Sequence, residues 1–120
     1  MEKNIEICLL LDFYGQLLTS RQEETMNMYY NNDLSLGEIA ENLGITRQGV
    51  HDNIKRSEKI LLDMENKLGL IKRFRDDKMK IKSAVGYIDT IDMALKERRY
   101  ESARKDMKQI KKILSEIIDD

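Results

Sequence analysis

The chain has 120 residues, 41% hydrophobic and 36% charged, with six glycines, no proline, no tryptophan and one cysteine. This supplies a core, excludes collagen-like, low-complexity and disulfide-stapled classes, and points to a reducing, cytoplasmic setting, because one cysteine closes no internal disulfide. The net charge of −1 hides an asymmetry: residues 1–70 carry seven Lys and Arg against twelve Asp and Glu, and residues 71–120 carry fourteen against ten, so the chain lacks the basic balance of a typical nucleic-acid module.

With no proline to enforce turns, long helices are expected and no strand. Residues 5–18 read as a helix apolar on most faces, from Ile5 and Ile7 through Leu17 and Leu18, which must be covered on most faces. Its longest apolar run, Ile7-Cys8-Leu9-Leu10-Leu11, is far short of the ~18 residues of a membrane span. It also lacks the flanks of a signal peptide, so no membrane insertion is expected. Ser20 and Glu23 resemble a capping box for a helix over 20–31, burying Gln22, Met26, Tyr29 and Tyr30. Asn31-Asn32-Asp33 stops it, since short polar side chains bond their own backbone in turns.

Ser35 and Glu38 form a second S-x-x-E signal, starting a short helix over 36–42. Gly44 stands where a left-handed residue ends a helix. Thr46 caps the next helix, which starts at Arg47, buries Val50, Ile54, Leu61, Met64 and Leu68, and stops at Gly69. Beyond it, positions 70, 74, 77, 81, 84, 88, 91 and 95 are apolar except Asp77, and 100, 103, 107, 110, 114 and 117 are all apolar. Alternating steps of four and three mark the seam of one helix packed along another. Lys96-Glu97-Arg98-Arg99 is the natural turn, so 70–118 reads as a long antiparallel helical hairpin.

The informative segment is 35–58, SLGEIAENLGITRQGVHDNIKRSE. Two short helices around Leu43-Gly44-Ile45 need a small residue at their crossing, which Ala40 provides. Leu36, Ile39, Leu43, Ile45, Val50 and Ile54 supply the core between them. This is the spacing of a helix-turn-helix whose second helix presents its outer face. The segment resembles the C-terminal promoter-reading domain of sigma factors, with Leu18-Thr19-Ser20-Arg21-Gln22-Glu23 resembling the start of that domain's preceding helix. ICLLLDFYGQLLTSRQ, LSLGEIAENLGITRQGVHDNIKRSEKIL and KLGLIKRF together resemble the YlxM family over about residues 5–75. These are small helix-turn-helix proteins typically encoded beside signal recognition particle genes. The resemblance implies an all-α, sigma-region-4-like helix-turn-helix bundle, placed over 1–69, and the periodicity adds the long C-terminal helical hairpin over 70–120. It also implies a regulatory role in, or association with, the signal recognition particle pathway.

On the second helix, Arg47, Gln48, His51, Asp52, Lys55 and Arg56 lie away from Val50 and Ile54. Arg47 matches guanine and Gln48 adenine in two-bond geometry, while Lys55, Arg56 and Lys59 suit phosphates. Asp52, Glu38, Glu41 and Glu58 oppose an anion, and residues 35–59 carry four charges of each sign. Nucleic-acid reading, of DNA or RNA, is therefore the leading function, and the alternative is a protein adapter contacting a component of the particle or its receptor. His51 reads more simply as a solvent-facing polar residue than as a pH-sensitive contact, and Cys8 as an inert apolar one. Asp76-Asp77 and Asp119-Asp120 are adjacent acids pointing in different directions, not a catalytic pair. The methionines read as core gap-fillers, and the basic run Lys72 to Lys82 as a solvated face. One histidine and one cysteine make no zinc site, and no phosphate loop or nucleophile elbow occurs. No enzyme, cofactor or metal is expected. Val85, Ile113 and Ile118 beside the hairpin stripes, with helix 5–18, give an apolar surplus that predicts a homodimer.

Overall fold

The computed structural model describes the backbone of residues 2–119 and the side chains of 3–119; Met1 and Asp120, the latter one of the adjacent acids above, lie outside it. The described residues form six α-helices: α1 (Glu2–Tyr14), α2 (Ser20–Met26), α3 (Leu36–Leu43), α4 (Arg47–Leu68), α5 (Leu70–Lys96) and α6 (Tyr100–Asp119). A 3₁₀ turn (Gly15–Leu17) follows α1, and α2 runs on into a π turn (Asn27–Asn31). The chain divides into two compact units, residues 1–71 and 72–120.

The first unit is a bundle whose core holds Ile7, Leu10, Leu11, Tyr14 and Leu18 from the N-terminal segment, Met26, Ile39 and Ala40, and Val50, Ile54 and Leu61 from α4. Its ends follow the local chemistry. Ser35 accepts from the Glu38 N–H while the Glu38 carboxylate accepts from the Ser35 N–H, a complete capping box. Gly44 and Gly69 end α3 and α4 in the left-handed region, at φ 67° and 64°, where a side chain is strained. The α2 cap differs from expectation: Thr19, not Ser20, is the N-cap, with Gln22 as its reciprocal partner. Two neighbouring hydroxyls offered two registers, and the amide of Gln22 serves as well as a carboxylate.

Several expected core residues are outside. Ile45 and Leu68 are exposed, as are Ile5 and Leu17 of the N-terminal segment. Ile45 stands in the turn itself, and Leu68 in the last residue of α4, where no neighbour covers them. Tyr29 is exposed, where the chain leaves α2 for the π turn, while Tyr30 is half-buried and packs against the core.

A polar clamp sets the start of α5. The Tyr14 hydroxyl donates to Glu65 Oε1 at 2.6 Å and accepts the Leu70 N–H at 3.1 Å. Glu65 also accepts the Ile71 N–H at 3.0 Å. Two N–H groups that a helix start leaves unpaired are thus satisfied. Burial, then the bond to Glu65, raises the Tyr14 pKa above its ordinary value.

In the second unit α5 and α6 pack antiparallel, with Lys80 Nζ 3.9 Å from the Glu116 carboxylate and Arg98 left-handed in the turn at φ 59°. The seam keeps part of the expected stripe, Asp77, Ala84 and Ile91 on α5 with Ala103, Ile110 and Ile117 on α6, and departs from the rest. Its α5 side is Asp77, Lys80, Ala84, Tyr87, Ile91 and Ala94, and its α6 side is Ala103, Asp106, Ile110, Ile113 and Ile117, all buried or half-buried. The expected partners Phe74, Ile81, Ile88 and Leu95, with Tyr100, Met107 and Leu114, are 42–59% exposed. Among the described residues of this unit, Ala84, Ala94 and Ala103 are the buried ones, and the larger side chains on the flanks of the seam remain exposed. Met79 and Met93 join them on the surface, so these methionines fill no gap in the described structure.

Candidate nucleic-acid interface

Residues 35–58 hold α3, the turn and the first half of α4. Ala40, 7% exposed, lies at the α3–α4 crossing, and Ile39 and Val50 are fully buried beneath it. The Thr46 hydroxyl accepts the Gly49 N–H at 2.9 Å, capping α4. Two turns of α4 therefore project from a fixed base with their outer side free.

Arg47, Gln48, His51, Lys55, Arg56 and Lys59 are all exposed. At 100° per residue, Arg47, Gln48, His51 and Lys55 share an arc of about 100°, Lys59 lies just beyond it, and Arg56 stands about 180° from Arg47. Four of the six therefore converge, and Arg56 belongs to another side of the helix. Asp52 ties two of them down: it accepts from Gln48 Nε2 at 2.9 Å and lies 3.6 Å from His51 Nδ1. A base contact by Gln48 requires that bond to be exchanged.

Glu58 does not stand with the other acids. It is 7% exposed, accepts a short hydrogen bond from the Tyr30 hydroxyl, and has Lys3 Nζ and Lys55 Nζ each at 3.7 Å. The carboxylate is thereby neutralised inside the bundle. Burial, then the bond to Glu58, pushes the Tyr30 pKa far above its ordinary value. This group was missed in the sequence, although the spacing held the signal: Glu58 lies four residues after Ile54 and three before Leu61, on the buried face. Above it opens a cleft of about 350 Å³, with Tyr29, His51 and Lys55 on its walls, contiguous with the α4 surface. Glu38, the nearest acid of α3, has its pKa lowered by the Ser35 N–H and hydroxyl.

Cys8 is half-buried, with Sγ 3.5 Å from Asn31 Oδ1, a more polar surrounding than its leucine neighbours suggested. Among the described residues no cluster of His, Cys, Asp or Glu could hold a metal ion, and no helix is long and apolar enough to cross a membrane.

Comparison with known proteins gives this surface a context. Residues 1–113 match the UPF0122 family, described as "Putative helix-turn-helix protein, YlxM / p13 like", a helix-turn-helix family and not a catalytic one. A UPF0122 protein of Acetivibrio thermocellus is 48% identical over 119 residues, 99% of each chain. One from Desulforamulus reducens is 43% identical over 92% of this chain and 94% of its own. The UPF0122 protein YlxM of Bacillus subtilis is 50% identical over 65% of this chain and 71% of its own. With the helix-turn-helix in place and the match running almost end to end, the chain belongs to the UPF0122, YlxM/p13-like family.

Proposed function

We propose that this protein is a non-enzymatic regulator that binds nucleic acid through the N-terminal two turns of α4. The observation that carries this is the exposed arc of Arg47, Gln48, His51 and Lys55 on a helix capped by Thr46 and seated on the buried Ile39 and Val50. Helix-turn-helix proteins place these positions in the major groove. The family resemblance supports a place in the signal recognition particle pathway, in the cytoplasm. Gel shifts of the full chain on DNA from its own operon and on the particle RNA test the reading. Retention of either that falls with Arg47→Ala supports it, and no retention of either at low salt refutes it.

A second part of the proposal concerns the hairpin. Phe74, Ile81, Ile88 and Leu95 recur every seven residues on α5, as do Tyr100, Met107 and Leu114 on α6, and all are exposed. An apolar heptad line left outside a hairpin fits a second hairpin of the same kind, so the protein is read as a homodimer joined there. Light scattering at micromolar concentration should give twice the chain mass. A monomer would transfer the same stripe to the adapter reading, in which it docks a protein of the particle.

A further inference from the structure

We propose that the outer face of α6 is a second, sequence-independent nucleic-acid contact, a strip that binds the phosphate backbone of a duplex. Arg104, Lys105, Lys108, Lys111 and Lys112 are all exposed, and no side chain among them forms an ion pair or hydrogen bond within the described residues. At 100° per residue they fall within an arc of about 120°. Its centre is opposite the face that carries Ala103, Ile110 and Ile117, so packing on α5 leaves it open. From 102 to 115 the only acid is Asp106, while exposed Glu101, one turn before Arg104, and exposed Asp119, two turns after Lys112, lie on the same side of the helix and bound the strip at its two ends. Asp106 lies on the inner face, with one carboxylate oxygen buried. Glu116, at the margin, is drawn to Lys80.

The occupant follows from the charge geometry. Five cations span about 12 Å of helix, and a duplex presents about one negative charge per 1.7 Å of its axis. Neighbours three and four apart on a helix are roughly 5–6 Å from one another, so Arg104 to Lys112 form a row of one sign, closed at its N-terminal end by Glu101, that suits a linear polyanion. Met107, Ile110 and Leu114 lie outside the arc, but Met107 is exposed and lines a shallow groove with Arg104, Lys108 and Lys111, so binding to a lipid surface is the outcome the duplex must be tested against. The α4 surface, by contrast, carries Asp52 among its cations and Glu38 and Glu41 on the adjoining helix. It can select bases but releases few counterions. The α6 strip would supply the missing affinity, and in its partner, though not in its residues, it rests on the function proposed above.

The experiment is the salt dependence of binding of the full chain to a mixed-sequence DNA duplex, followed by fluorescence anisotropy. Neutralising five phosphates gives a log–log slope approaching about −4.5. Lys108→Gln with Lys111→Gln should make the slope shallower by about two units and weaken low-salt binding roughly tenfold or more. Lys108→Arg with Lys111→Arg should keep the original slope. An unchanged slope in the glutamine variant overturns the proposal, as does capture by anionic phospholipid vesicles in preference to the duplex. Arg47→Ala separates the two sites: lost sequence preference at constant slope upholds the α4 reading whatever α6 does. A flattened slope in the glutamine variant, with no effect of Arg47→Ala, upholds α6 and removes α4.

Discussion

Removing the Tyr30 hydroxyl is the most informative perturbation of the scaffold beneath the α4 surface. Glu58 is 7% exposed and has three partners: the Tyr30 hydroxyl at short range, and Lys3 and Lys55, each at 3.7 Å. The two lysine side chains are more than half exposed, and such solvent-screened pairs are worth about 0–1 kcal/mol each. A hydrogen bond to a buried charge is worth about 1.5–3 kcal/mol. Tyr30→Phe should therefore destabilise the protein by about 1.5–3 kcal/mol, and Lys3→Ala by no more than about 1 kcal/mol. Urea denaturation of both variants at neutral pH measures this directly. The pH dependence adds a second signature. Tyr30 keeps its proton in the native state to a pKa above the ordinary 10.0. Its contribution is thus complete below pH 10 and declines as pH rises beyond, because only the unfolded chain then ionises freely. Tyr30→Phe should reduce that alkaline decline. A cost equal to that of Lys3→Ala, with the alkaline limb unchanged, would refute the assignment of Tyr30 as the principal partner of Glu58.

If the proposed dimer forms through the exposed stripe of the hairpin, Ile81→Glu with Ile88→Glu should give a folded monomer, since both side chains are about half exposed and their charges remain solvated in the separate chain; light scattering together with circular dichroism checks it. Glu38 has its pKa lowered by the Ser35 N–H and hydroxyl, so its contribution is complete above the ordinary glutamate range and is lost as pH falls through the lowered native value. Glu38→Gln should flatten the acid limb of a stability profile. Tyr14→Phe should speed amide exchange at Leu70, which loses its acceptor, more than at Ile71, which keeps Glu65.

Much of this architecture was legible because its signals are local. Ser35 with Glu38, Gly44, Thr46 and Gly69 each determine their helix end through their own backbone, and the structure places all four as expected. Features that depend on competition between neighbours were not legible. In the hairpin the four-and-three spacing picked out both positions that are covered, Ala84, Ile91, Ala103, Ile110 and Ile117, and positions on their flank, Ile81, Ile88, Met107 and Leu114, that stay exposed, because periodicity does not say how wide the covered strip is. A π turn has no sequence signature of its own, so the exposure of Tyr29 could not be foreseen. Glu58 shows the reverse: its spacing from Ile54 and Leu61 marked a buried position, but its charge argued for the surface. The six proposed contact residues were identified as exposed from their spacing, yet spacing alone gave no hint that Asp52 holds Gln48 and His51.

The most direct test of the central claim is base preference. Wild-type protein and Arg47→Ala are each used to select from a pool of randomised duplexes and from a matching RNA pool. Reading by α4 predicts that the wild type enriches a defined site and that Arg47→Ala relaxes one position of it, at a cost of about 1–3 kcal/mol on the preferred sequence. Enrichment of no site by the wild type, or of the same site with equal strength by both proteins, would contradict it.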